Sequence, residues 1–122
     1  MLTLIVARSG AMQQALTTVL SSIPEIEIVG TADDGFSALE IVKAHQPTLV
    51  MVDDNLPNGE VLNLIRYLKK DWPQTKTIAL TDGTQQKQAL LATGADTVLL
   101  RGIPAEQIIE AINNICPDKT NL

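Results

Sequence analysis

The sequence predicts one α/β domain built on a doubly wound, five-stranded parallel sheet. Three observations lead there. Short apolar runs alternate with helix-periodic stretches five times along the chain. Three of the runs are apolar at nearly every residue, as strands covered by helices on both faces must be. The 122 residues, 45% of them hydrophobic, suit a single compact core.

The elements follow in order. The predicted strands are LTLIVA at 2–7, IEIVG at 26–30, TLVMVD at 48–53, KTIALT at 76–81 and TVLL at 97–100. Each is short, rich in β-branched or aliphatic residues, and bounded by turn signals. The first helix, 10–22, gathers Ala11, Ala15, Leu16, Val19 and Leu20 on one side. "DDGFS" at 33–37 reads as a turn and helix cap. The second helix, 35–45, gathers Phe36, Leu39 and Val42, with His45 near its end as a dipole-facing residue and not a metal ligand. The third, 59–71, gathers Leu62, Ile65 and Leu68, and Trp72-Pro73 stops it with a hydrophobic plug. The fourth, 84–93, is Gln-rich and weakly amphipathic. The fifth, 104–115, begins with Pro104 in the first turn and repeats Ile108, Ile112 and Ile115. The domain is expected over 1–116, and 117–122 reads as a C-terminal tail or the start of a linker.

Composition narrows the function. The net charge is −5, and the longest basic run is Lys69-Lys70. One Trp, one Tyr and one Phe give no platform for stacked bases. Direct nucleic-acid binding is therefore not expected. No run is long enough to span a membrane and no leader is recognisable, so a cytoplasmic protein is expected. Cys116 is the only cysteine, which excludes an internal disulfide and is read as a plain thiol. No nucleophile and base pair is recognisable, so enzymatic turnover is not expected.

In doubly wound folds, ligands sit at the C-terminal ends of the strands. Those ends carry Ala7 and Arg8, Asp53 and Asp54, Thr81 and Asp82, and Arg101. Asp53 closes a buried run, and alternation along a strand turns Asp54 away from it.

At this point the chain resembles a response-regulator receiver domain, close in type to chemotaxis regulators. The resemblance rests on TADDGFSALEIVKAHQPTLVMVDDNLPNGEVL, TIALTDG and TGADTVLLRGIPAEQIIEAI, and covers essentially the whole chain. It implies the flavodoxin-like (βα)5 order 2-1-3-4-5. It also implies two-component phosphorelay signalling, with a histidine kinase or an effector domain as protein partner. Asp53, four residues before Pro57, matches the phosphoacceptor. Thr81 matches the switch hydroxyl. The family's dimer or partner face would span residues 84–115, where Leu90, Leu91, Ile103 and Ile108 are candidates.

The departures define a degenerate site. The family's metal-holding acidic pair is replaced by Ala7 and Arg8. Its Lys at the end of the fifth strand is Arg101, its rotating aromatic is Val98, and the small residue after the switch is Asp82. Mg²⁺ requires hard oxygen ligands. Ala7 offers no side-chain oxygen. Two like charges about 4 Å apart cost roughly 4 kcal/mol at an effective dielectric of 20, so Arg8 repels a metal. One acid at Asp82 does not restore a pair. Metal binding is expected to be absent or very weak, with no other cofactor.

Asp53 is then expected to be bonded by Arg8, Arg101 or both, in a site neutral without a cation and with the carboxyl pKa lowered. The function expected is that of an atypical pseudo-receiver, acting through protein contacts independently of Mg²⁺-dependent phosphorylation. Two alternatives stand beside it. One is conventional phosphorylation of Asp53. The other is anion or small-ligand sensing at Arg8, Thr81 and Arg101.

Overall fold

A computed structural model describes residues 1–116. The predicted tail, 117–122, lies outside the described residues. Five strands, β1 (Leu2–Val6), β2 (Glu27–Ala32), β3 (Leu49–Asp53), β4 (Lys76–Thr81) and β5 (Thr97–Leu100), form one sheet. All pairs are parallel and the order is β2-β1-β3-β4-β5. The helices are α1 (Gly10–Ser21), α2 (Gly35–His45), α3 (Glu60–Asp71), α4 (Thr84–Thr93) and α5 (Ala105–Ile115). A 3-10 turn, Pro57–Gly59, leads into α3.

Alternation along the strands divides the core into two layers. Leu4 and Val6, Val50 and Val52, and Ala79 point to one face, where α2, α3 and α4 bring Val42, Leu64, Leu68 and Leu90. Ile5, Leu49, Met51 and Ile78 point to the other, against Leu16 and Leu20 of α1 and Ile108 and Ile112 of α5. Every residue of β3 is buried, because β3 sits mid-sheet with a helical layer on each side. β2, at the edge, is buried fully only at Ala32. Each fully buried aliphatic side chain contributes about 1.5–3 kcal/mol, so the layers supply most of the drive to fold.

Local chemistry sets the helix starts. Ser9 caps α1 by accepting from the amides of Ala11 and Met12. Asp34 caps α2 by accepting from the Ser37 amide at 2.7 Å, and that bond holds its carboxyl below the usual value. Pro104 stands at the cap position of α5, one place ahead of its expected role in the first turn.

The structure corrects two predicted helix faces. In α2, Val42 is buried and Leu39 packs against the core as expected, with Gly35 and Ala38 also buried, but Phe36 is 75% exposed. The small residues allow α2 to lie close, and that rotation turns Phe36 outward. In α1, Ala11 and Ala15 are exposed; Leu16 and Leu20 carry the burial, with Val19 beside them. Burying the two large leucines gains more than burying the alanines.

The two faces of this packing should separate in urea denaturation. Leu64→Ala should cost about 2–5 kcal/mol, the usual cost of truncating a buried leucine. Phe36→Ala should stay within about 0.5 kcal/mol of the parent.

Candidate functional site

The C-terminal edge of the sheet brings three loops together. Asp53 is the last residue of β3 and pairs with Leu80 of β4. The Asp54 amide still donates to the Leu80 carbonyl at 2.9 Å, and the Leu56 amide then donates to the Asp54 carbonyl at 2.8 Å. The chain thus bends sharply just after β3. On the neighbouring strands, the Arg101 amide donates to the Thr81 carbonyl at 2.8 Å. Gly102 turns the chain with φ +86, a conformation that glycine adopts without strain, and α5 follows. This turn leaves the Arg101 side chain over the edge of the sheet.

Arg101 then uses three nitrogens on three carboxylates. Its Nε donates to Asp53 Oδ1 at 2.6 Å. Its Nη2 donates to Asp54 Oδ1, and its Nη1 pairs with Asp82 Oδ2. The planar fork of arginine makes this three-way arrangement feasible, and a lysine ammonium has no equivalent geometry. The acids differ in environment: the Asp53 side chain is 3% exposed, whereas that of Asp82 is 78% exposed. The strongest bond is therefore the one to Asp53, where water competes least.

Three expectations change here. Asp54 is a partner of Arg101 and not an outward bystander, because strand alternation ends at the bend after Asp53. The cluster is not neutral: three carboxylates and one guanidinium sum to −2. The carboxyl pKa of Asp53 is raised, not lowered. Burial raises it most; the Arg101 hydrogen bond and charge pull it down; Asp54 and Asp82 push it up again. For Arg101, burial disfavours the charge, but the bond and charge of Asp53, with Asp82 and Asp54, hold its pKa above the ordinary value.

The other predicted residues are placed as follows. Ala7 is buried; its amide bonds Ala32, and its carbonyl accepts from Gln13 Nε2 at 2.6 Å. Arg8 is exposed, and its guanidinium makes no ion pair with the described residues. Thr81 is buried, and its hydroxyl accepts from the Gly83 amide at 3.5 Å, a long contact within its own turn. Val98 is buried in the core beneath α4. Gln13 escaped the sequence reading, because a glutamine inside a helix carries no signal that it will reach two strand ends. A shallow cleft of about 340 Å³ opens beside Asp53 and Arg101, lined also by Ser9, Met12 and Asn55.

Comparison with known proteins agrees with this architecture. A family model described as the response regulator receiver domain matches residues 3–113. Among curated proteins, the transcriptional regulatory protein DegU of Brevibacillus brevis is 29% identical over 102 residues, covering 82% of this chain and 43% of DegU. The oxygen regulatory protein NreC of Staphylococcus carnosus is 30% identical over 107 residues, 85% of this chain and 49% of NreC. The chain thus spans less than half the length of these relatives. Among solved structures, the receiver domain of the putative response regulator NarL from Mycobacterium tuberculosis superposes with a TM-score of 0.85 at 22% identity, covering 93% of this chain and 94% of that one. The response regulatory domain of mrkE from Klebsiella pneumoniae gives 0.86 at 19% identity, covering both chains fully. At those identities the structures speak for the fold alone. With the family model matching nearly the whole chain, the protein belongs to the response regulator receiver domain family.

Proposed function

We propose that this receiver domain is a pseudo-receiver, which signals through protein contacts and does not depend on Mg²⁺-assisted phosphorylation of Asp53. The observation that carries this reading is the Arg101–Asp53 bond, in which one carboxylate oxygen of Asp53, Oδ1, is held by a guanidinium shared with Asp54 and Asp82. A phosphoryl group arriving at Asp53 meets a carboxylate already bonded through Oδ1 to Arg101. It also adds negative charge to a cluster that already sums to −2.

Metal ions ordinarily neutralise the charge that develops in phosphoryl transfer. The residues here do not fit Mg²⁺. Ala7 has no side-chain oxygen and its carbonyl accepts from Gln13, and Arg8 offers no side-chain oxygen either. The carboxylates of Asp53, Asp54 and Asp82 all face Arg101. Among the described residues, no group of three His, Cys, Asp or Glu is arranged to hold a metal ion. The domain would work as a fixed-state module read by a protein partner, either an effector domain like those of its longer relatives or a separate protein.

Conventional phosphorylation is the competing reading, favoured by the position of Asp53 at the end of β3 and by its likeness to DegU and NreC. A phosphodonor assay separates the two. After incubation with acetyl phosphate or phosphoramidate, with and without Mg²⁺, intact mass spectrometry should show no phosphoryl adduct. An adduct that disappears in Asp53→Asn establishes the conventional reading instead.

A second prediction concerns pH. The raised pKa of Asp53 means that the folded state binds this proton more tightly than the unfolded state. Its contribution to stability is therefore greatest below the ordinary value of 3.8 and is lost as pH rises through the raised value. Arg101→Met removes the counter-charge and should move the Asp53 pKa further up, as read by carboxyl ¹³C shifts. Its stability at pH 7 should fall by about 3 kcal/mol and recover in part toward pH 5, as Asp53 takes up its proton. A variant as stable as the parent at both pH values would contradict the assigned bond.

A further inference from the structure

The aromatic residues of this chain are placed unusually. It has one Phe, one Tyr and one Trp, and none of them is among the buried core residues. All three meet on the outer side of α2 and α3. Phe36 is 75% exposed and Tyr67 53% exposed, and Trp72 packs only partly against the core. Phe36, Tyr67 and Leu39 line two adjoining clefts of about 270 and 300 Å³, and Trp72 lines the second. These are shallow sites, at or below the smallest usual ligand cavities, and suit side-chain anchors more than an enclosed small molecule.

The groove follows from helical spacing. On α2, Phe36, Leu39, Glu40 and Lys43 fall at i, i+3, i+4 and i+7. On α3, Glu60, Asn63, Tyr67 and Asp71 form the facing row. Leaving a phenylalanine and a tyrosine in water forgoes their burial energy, and phenylalanine and tyrosine are enriched where proteins meet partners.

Charge says what kind of partner fits. Lys43 lies 3.9 Å from Glu40, so those two offset each other. Asp71 and Glu60, whose Oε1 also accepts from the Gly35 amide at 2.8 Å, are the charged groups at the two ends of the groove. Eleven positions apart on α3, they are separated by about 16 Å, roughly three helical turns. We propose that this groove binds an amphipathic helix of another protein, with apolar residues on one stripe and Lys or Arg at both ends. This is the helix-in-groove mode, with Phe36 and Tyr67 as anchors. A second copy of the chain fits less well, since it brings the same acid-ended groove and a net charge of −5.

Trp72, the single tryptophan, sits in the groove and reports its occupancy. The full chain would be titrated with three synthetic three-turn helical peptides, followed by Trp72 fluorescence and calorimetry. The first has a leucine stripe and Arg at both ends. The second carries Glu in place of Arg, and the third keeps Arg but has Gln in place of Leu. Only the first should give a saturable shift. Phe36→Ala should weaken it about tenfold or more. Asp71→Lys should weaken it too, with an unchanged circular dichroism spectrum. The proposal is overturned if no peptide binds, if the Glu or Gln peptide binds as well as the first, or if both variants bind normally. It is also overturned if light scattering shows a dimer of the chain alone that Phe36→Ala dissociates.

Discussion

The guanidinium of Arg101 joins the ends of three strands. Through Asp53 it holds the end of β3, through Asp54 the bend that follows, and through Asp82 the loop that leads to α4. Its own backbone is bonded to Thr81 at the end of β4. One planar cation thus organises the edge of the sheet where doubly wound folds place their ligands. Removing a partner from a buried ion pair leaves an uncompensated charge, which costs more than the pair itself contributes. The Asp53 contact is therefore the one whose loss should matter most, and the exposed Asp82 contact the least.

The residues around Asp53 form one connected arrangement. Ala7 and Arg8 contribute no carboxylate beside Asp53. A buried Asp53 left alone there would then have to stay protonated or find a cation from the protein. Arg101 supplies that cation, and its length and fork let it reach Asp54 and Asp82 as well. Burial still lifts the Asp53 pKa, so the bond offsets only part of the desolvation. What results is a direct bond between the end of β3 and the turn that follows β5.

Much of this was legible in the sequence, for definite reasons. The strands were readable because burial on both faces leaves apolar runs, and β3 is buried throughout. The family resemblance located Asp53, Thr81 and Arg101 on neighbouring strand ends, and the order of the sheet follows it. What escaped depended on side-chain reach and small rotations. Asp54 was misread because alternation holds only while the strand continues, and the chain bends directly after Asp53. Phe36 was misread because three apolar residues suggested a buried stripe. Val42 is on the contact face as expected, and it is the small Gly35 and Ala38, not Phe36, that join it there. The sign of the Asp53 pKa shift needed the degree of burial, which no local pattern supplies.

The central claim is the bond between Arg101 and Asp53, and the chain contains three arginines that allow an internal comparison. Hydrogen exchange of arginine Nε–H groups, followed by ¹H–¹⁵N NMR and assigned with an Arg101→Lys variant, tests it directly. The Arg101 Nε–H should exchange much more slowly than those of Arg8 and Arg66, both exposed, and Asp53→Asn should abolish most of that protection. Equal exchange at all three arginines, or protection unchanged in Asp53→Asn, would contradict the account.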